Sequence, residues 1–299
     1  MQKIIVIVGP TASGKSDFAV RLARKMGGEI ISADSRQVYK GLDIGTGKIT
    51  KREMKGVPHH LLDVASPKCT FTAHDFTIYG KKAIADIMRR GKVPIIVGGT
   101  GFYIDALVGR ISLPDVPVNK KLRTRLNKKT LAQLFALLKR RDPKRAAAIK
   151  KKNELNNTHR LIRALEITYG KKMSPYMETS RYDVVWIGIR PNVQELKKNI
   201  KKRLLARFGK GMVVEAGRLH KGGLSYKRMD ALGLEYRYLA LYLQNKISKK
   251  ELVEQLSTKI WQYARRQMTY WKRNKNITWF SPRVVTKKAA AVVCDFLKT

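Results

Sequence analysis

Through the first 110 or so residues, short unbroken apolar runs alternate with stretches whose apolar positions return every three or four residues. Residues 4–8 (IIVIV) are β-branched throughout and predict a strand. Phe18, Leu22 and Met26 then share one face of a predicted helix over 16–26. The same reading predicts strands at 29–32 and 93–97 and helices at 76–90 and 102–108. Strands that are apolar on both faces, separated by helices, describe a parallel sheet covered on both sides, an α/β fold. Ligands of such sheets sit at the carboxyl ends of the strands, so the loops GPTASGKS, ADSRQVYKGLDIGTGK and GGTGFY are expected to converge on one crevice.

The alternation stops at ISLPDVPV (111–118), where two prolines interrupt it. From there to about 181 the chain is basic, periodic at helical spacing and without a clear strand, and it reads as a helical insertion. DVVWIGIR (183–190) returns as a strand of the sheet. Helices are then predicted at 192–207, 211–220, 228–244 and 248–272, followed by a strand at ITWF and a last helix. The division expected is a core of 1–112 and 182–299 with an insertion of 113–181.

Residues 9–16 carry the spacing G-x-x-x-x-G-K-S between a strand and a helix. In that setting the glycines let backbone N–H groups turn toward an anion, and the helix adds its positive end. Lys15 supplies a cation, and the Ser16 hydroxyl suits a magnesium ion. The loop therefore reads as a phosphate cradle rather than an ordinary strand-to-helix turn, without saying which phosphate compound it takes.

Composition narrows the class. Hydrophobic residues make up 43% of 299, which describes a folded globule. No apolar run approaches the length of a membrane span, and the first strand is too early and too β-branched for a secretory leader. Cys69 and Cys294 form neither a metal motif nor a disulfide framework, so a reducing, cytoplasmic setting is expected. Lys and Arg number 63 against 22 Asp and Glu, a net charge of +41. A lysine-rich solvated surface is the plain alternative, but so large a field favours a polyanionic partner, with nucleic acid first.

Asp34 follows the second strand, close to the phosphate cradle. A carboxylate there binds a metal, accepts a proton or grips a donor on a second substrate, unless it merely caps a turn. Gly98-Gly99-Thr100 after the next strand allows close backbone approach with a hydroxyl facing the same crevice. Nucleotide-hydrolysing proteins with such a loop usually end an apolar strand in an acid that holds magnesium, whereas VPIIVGGT ends in glycine and threonine. His59-His60 has poor spacing for a metal site, and the tryptophans 186, 261, 271 and 279 sit in apolar patterns expected of a core.

Taken in order, GPTASGKS (9–16), ISADSRQVYKGLDIGTGK (31–48), VPHHLLDV (57–64), FTAHDF (71–76), VPIIVGGTGFYIDALV (93–108), NTHRLIRALEI (157–167) and QYARRQMTYWKR (262–273) resemble the tRNA dimethylallyltransferases, or tRNA isopentenyltransferases, over nearly the whole chain. Where that family has a Gly-Tyr pair in its second half, this chain reads ALGLEYRYL (231–239). The resemblance implies a P-loop NTPase-like core with a tRNA-binding helical insertion. It also implies transfer of a dimethylallyl group from dimethylallyl pyrophosphate to N6 of adenosine 37, beside the anticodon. On that reading Gly9, Thr11, Ala12, Ser13, Gly14, Lys15 and Ser16 hold pyrophosphate together with Arg203, and Mg2+ sits at Ser16. Asp34 takes the place of the base, and Thr100 that of the hydroxyl beside the bridging oxygen. The tRNA contacts implied are Asp34, Ser35, Arg36, Gln37, Thr100, Arg123, His159, Arg160, Leu161, Ile162 and Arg163. The plain alternative for Arg203, Arg123 and Arg163 is a cation on a solvated helix. The partners expected are the tRNA anticodon stem-loop and dimethylallyl pyrophosphate, with no membrane, acting on a monomer. A kinase of a small metabolite explains the loop but not the charge or DSRQVYKGLDIGT. A prenyltransferase of free adenine nucleotides shares the loops but does not require the basic surface, and a non-enzymatic RNA-binding protein predicts no turnover.

Overall fold

The computed structural model describes residues 2–114, 116–151, 154–170 and 182–298. In chain order the elements are β1 (Gln2–Val8), α1 (Lys15–Met26), β2 (Gly28–Ala33), α2 (Lys51–Met54), β3 (His59–His60), α3 (Ala73–Arg89), β4 (Val93–Gly98) and α4 (Gly101–Leu107). Then come α5 (Lys120–Leu126), α6 (Leu131–Arg141), α7 (Pro143–Lys151) and α8 (Thr158–Tyr169). The chain continues with β5 (Tyr182–Ile189), α9 (Val193–Gly209), α10 (Met212–Lys221), α11 (Tyr226–Leu232), α12 (Leu234–Leu243), α13 (Lys249–Trp271), β6 (Ile277–Phe280) and α14 (Val285–Lys298). It groups into two compact units, Met1–Arg110 with Ser180–Thr299, and Ile111–Thr179.

The first unit is built on a six-stranded sheet ordered β3-β2-β4-β1-β5-β6, with every ladder parallel. β1 lies inside it, with Ile5 opposite both Ile95 of β4 and Val185 of β5. Alternation sends Ile4, Val6 and Val8 to a layer with α3 and α4, and Ile5 and Ile7 to a layer with α1 and α14. Both layers are buried, which is why the strands read as unbroken apolar runs. A third apolar cluster joins α9 to α13 with Val38, Tyr39 and Leu42 of the segment after β2.

The structure refines several expected boundaries. α3 starts at Ala73, three residues ahead of the apolar periodicity, because Thr72 and Asp75 form a reciprocal capping box. The single helix expected over 228–244 is two, α11 and α12, split at Gly233 with φ of +73°. β3 was not expected. It is two residues long, and His60 pairs with buried Glu29 at 2.7 Å while His59 bonds the Val57 carbonyl. Trp186 and Trp271 are buried as expected, whereas Trp261 and Trp279 are partly exposed.

The second unit packs α5 to α8 around Leu122, Leu126, Leu134, Leu138, Leu161 and Leu165, and its described residues contain no strand. The end of the expected insertion, 171–181, lies outside the described residues. Among the described residues no helix is long and apolar enough to cross a membrane.

Candidate active site

At the carboxyl end of β1 the chain turns through residues 9–14 into α1. Gly9 is required there by contact, since a Cβ on it would meet the Ile189 carbonyl oxygen at 2.5 Å. Ala12 and Gly14 both adopt positive φ, at 62° and 84°, and Gly14 delivers the chain to the first turn of α1. This loop forms one wall of a cavity of about 570 Å³, lined also by Asp34, Gln37, Thr46 to Thr50, Arg203, Arg207, Lys210, Tyr263 and Gln267.

The cavity is built to hold negative charge. Lys15 donates to the Pro10 carbonyl at 3.1 Å, and its ammonium is depressed to about 8, chiefly by burial and then by the charge of Arg203, with Asp34 opposing. Arg203 is likewise held below its ordinary value by burial and by Arg207, with Glu53 and Glu235 opposing. It makes no hydrogen bond or ion pair among the described residues. Arg203 thus depresses Lys15 while Arg207 depresses Arg203, and an anion among these cations would relieve both. Ser16 lines the cavity, and the buried Ser13 Oγ has no hydrogen-bond partner among the described residues. Among the described residues no cluster of three His, Cys, Asp or Glu could hold a metal. The Ser16 hydroxyl is an oxygen donor of the kind a hydrated magnesium ion accepts.

The loops after β1, β2 and β4 are joined by specific bonds. Asp34 accepts the N–H groups of Arg36 (2.8 Å) and Gln37 (3.3 Å), both through Oδ1, and so closes its own turn. No hydrogen bond to Oδ2 occurs among the described residues, and the carboxylate lines the cavity. Closing the turn thus falls to Oδ1 alone among the described residues. Thr100 opens α4, and its Oγ1 accepts the Ser35 N–H at 3.1 Å. Burial, then the charge of Asp34, push the hydroxyl of Tyr263 on α13 upward, with Thr100 opposing. Gln267 of α13 binds both Thr11 and Gly99. The Thr11 N–H is therefore committed to Gln267.

The remainder of the DSRQVYKGLDIGTGK segment is held from behind. The buried Glu215 accepts N–H groups from Asp43, Ile44 and Gly45 and the hydroxyl of Tyr236. Arg207 binds the Gly45 carbonyl at 2.6 Å and Glu235 at 3.0 Å, and Lys48 bridges Asp43 and Asp63. Glu235 and Tyr236 of this anchor lie in ALGLEYRYL (231–239). Glu215, Tyr263 and Gln267 were not singled out from the sequence. The one available signal was the 4-residue and 3-residue spacing of Tyr263, Gln267 and Tyr270 along one face of a helix.

The expected contacts 123 and 159–163 lie in the second unit. Arg123 grips the buried Glu166 through Nε at 2.8 Å and Nη2 at 2.7 Å. Arg163 reaches Glu166 at 3.3 Å and the Val116 carbonyl at 2.7 Å. Burial alone would raise Glu166, but Arg123, the Asn119 N–H and Arg163 hold it below the usual carboxylate range. His159 and Arg160 are exposed, and Arg160 pairs with Glu154. Leu161 and Ile162 are buried in the core of this unit, so their side chains pack rather than face solvent.

A parallel sheet with a glycine-framed anion loop following an interior strand defines a phosphate-binding α/β protein of the P-loop NTPase-like class. The pattern of the family described as IPP transferase matches residues 37–274. The tRNA dimethylallyltransferase 2 of Treponema denticola is 44% identical over 276 residues, covering 90% of this chain and 91% of that protein. The tRNA dimethylallyltransferase of Anoxybacillus flavithermus is 38% identical, covering 93% and 90%. Among solved structures, the full-length tRNA isopentenylpyrophosphate transferase from Bacillus halodurans aligns with a TM-score of 0.74 and 35% identity, over 100% of this chain and 96% of that one. A eukaryotic dimethylallyltransferase solved acting on tRNA aligns with a TM-score of 0.85 and 25% identity, over 100% and 80%. The chain belongs to the IPP transferase family and is an enzyme of the tRNA dimethylallyltransferase type.

Proposed function

We propose that this chain transfers the dimethylallyl group of dimethylallyl pyrophosphate to N6 of adenosine 37 of tRNA, releasing pyrophosphate. The observation that carries the reading is the shared cavity: the phosphate loop, Lys15 and Arg203 open onto the same space as the Asp34 carboxylate. In the reaction the allylic C1–O bond breaks and its electron pair leaves with pyrophosphate. The N6 lone pair forms the new C1–N bond, and the N6 proton passes to Asp34.

Each step has a residue suited to it. Loop N–H groups, Lys15 and Arg203 meet charge as it develops on the leaving group. Thr100, with Oγ1 already accepting from Ser35, is the hydroxyl assigned to the bridging oxygen. An adenine amine is a weak nucleophile because its lone pair is delocalised, and the unpaired Oδ2 of Asp34 is the base that removes its proton as the bond forms. Mg2+ held at Ser16 would neutralise part of the pyrophosphate charge. The target base must leave its stack to enter the cavity, and Ser35, Arg36 and Gln37, which follow Asp34 in its turn, would contact it there. The core, 1–112 with 182–299, carries the chemistry. The insertion, 113–181, contributes tRNA contacts, in which exposed His159 and Arg160 have the clearer access and Arg123 and Arg163 shape the surface through Glu166. The enzyme works as a monomer in the cytoplasm, where tRNA is met.

The test is incubation with labelled dimethylallyl pyrophosphate and either unmodified tRNA or AMP, followed by mass analysis of the nucleosides. Label in N6-modified adenosine from tRNA supports the reading. Label only in AMP favours the free-nucleotide reaction, and label in neither sinks both.

A further inference from the structure

We infer that Gln267 is a positioning residue that sets the distance between the pyrophosphate loop and the loop carrying Thr100. The inference rests on the prenyl-transfer reading above. It starts from a side chain only 5% exposed on α13, whose carboxamide is shared between two loops. Oε1 accepts the Thr11 N–H at 2.8 Å, and Nε2 donates to the Gly99 carbonyl at 3.1 Å. Only a neutral carboxamide satisfies both partners at once. A glutamate would satisfy Thr11 but set an oxygen against the Gly99 carbonyl and add negative charge beside the anion loop.

The fit extends to the loop backbone. A Cβ on Gly99 would lie 1.9 Å from Nε2, and a Cβ on Gly101 would lie 2.2 Å from the Tyr270 ring. Both glycines flanking Thr100 are thus required because α13 presses Gln267 and Tyr270 onto this loop. Tyr270 is itself held by Asp105 at 2.6 Å. The geometry has a chemical reason. The leaving diphosphate is held by the first loop and its bridging oxygen by Thr100 in the second, so the two must keep register to a fraction of an ångström. Misplacement of about 1 Å costs on the order of 10²-fold in rate. One side chain bonded to both backbones fixes that register.

The test uses the full chain with Gln267→Met, which keeps length but makes neither bond, and Gln267→Glu, which keeps one. Single-turnover transfer from dimethylallyl pyrophosphate to tRNA, affinity for inorganic pyrophosphate, tRNA affinity and thermal midpoint are measured on the same samples. The expected result is a fall of roughly 10²-fold in the single-turnover rate for both variants. For Gln267→Met, affinity for pyrophosphate and for tRNA stays within a few fold of the parent. Gly99→Ala, which must displace the carboxamide from the other side, is expected to show the same split and serves if the Gln267 variants fold poorly. Parent-like rates, or a rate loss matched by an equal loss of pyrophosphate affinity, would overturn the inference while the parent stays active. Unfolding of all three variants would overturn it in favour of a purely structural role. An inactive parent would overturn the prenyl-transfer reading itself, and this inference with it.

Discussion

Asp34 illustrates how one residue can hold a turn and still be available for chemistry. Its Oδ1 is used twice by the backbone, and its Oδ2 is not used among the described residues. Asp34→Asn preserves the Oδ1 bonds but cannot take a proton. Prenyl transfer is expected to fall by roughly 10²–10⁴, with tRNA affinity unchanged or slightly tighter. Filter binding and single-turnover transfer on one sample check both halves, and full transfer by the variant would remove the base assignment. Lys15 makes a second prediction, through pH. Its ammonium, depressed to about 8 in the free site, regains its ordinary preference for charge when an anion arrives. Above about pH 8 binding of pyrophosphate therefore takes up a proton at Lys15, and affinity weakens as pH rises further. Calorimetry at pH 8.5 in two buffers of different ionisation enthalpy should report that uptake as the difference between the parent and Lys15→Met. Identical proton balances for the two proteins would contradict it.

At the scale of elements, the segment after β2 has almost no regular structure, yet one carboxylate gathers the backbone of residues 43–45. Glu215 on α10 receives three consecutive N–H groups and a tyrosine hydroxyl. Glu215→Ala leaves those donors buried and unpaired, and a loss of about 3 kcal/mol or more is expected in urea unfolding, with faster proteolysis near residues 43–48. An unchanged unfolding midpoint would show that the loop is held by other means. This anchoring explains what could be read from the chain beforehand and what could not. The strands β1, β2, β4 and β5 were legible because burial on both faces leaves a run of β-branched residues, and the anion loop was legible because its glycines obey a local rule. Glu215 and Gln267 bind loop backbone 168 to 256 residues away, and helical spacing marks the face that Tyr263 and Gln267 share but not what that face meets. The split of α11 from α12 at Gly233 was missed for a related reason. Apolar spacing continues across the glycine, and only the positive φ ends the helix.

The whole molecule carries 63 basic against 22 acidic side chains, and that excess predicts tRNA binding governed by counterion release. Affinity is expected to fall by roughly 10³ or more between 50 and 200 mM salt if about six phosphates are neutralised, whereas a flat response would remove the argument from charge. The sheet order has a consequence of a different kind, in the timing of synthesis. β1 pairs on one side with β4 and on the other with β5, where Gln2 lies opposite Tyr182. A nascent chain can complete the first ladder once β4 has emerged, but the other edge of β1 then stands open until the ribosome has passed β5. At ~5–20 residues per second that wait lasts several seconds or more, during which an apolar edge strand is exposed to any neighbouring chain. The chain therefore reaches its most vulnerable state while still being made, and chaperone demand should peak in nascent chains ending between β4 and β5 and fall once β5 is free to dock.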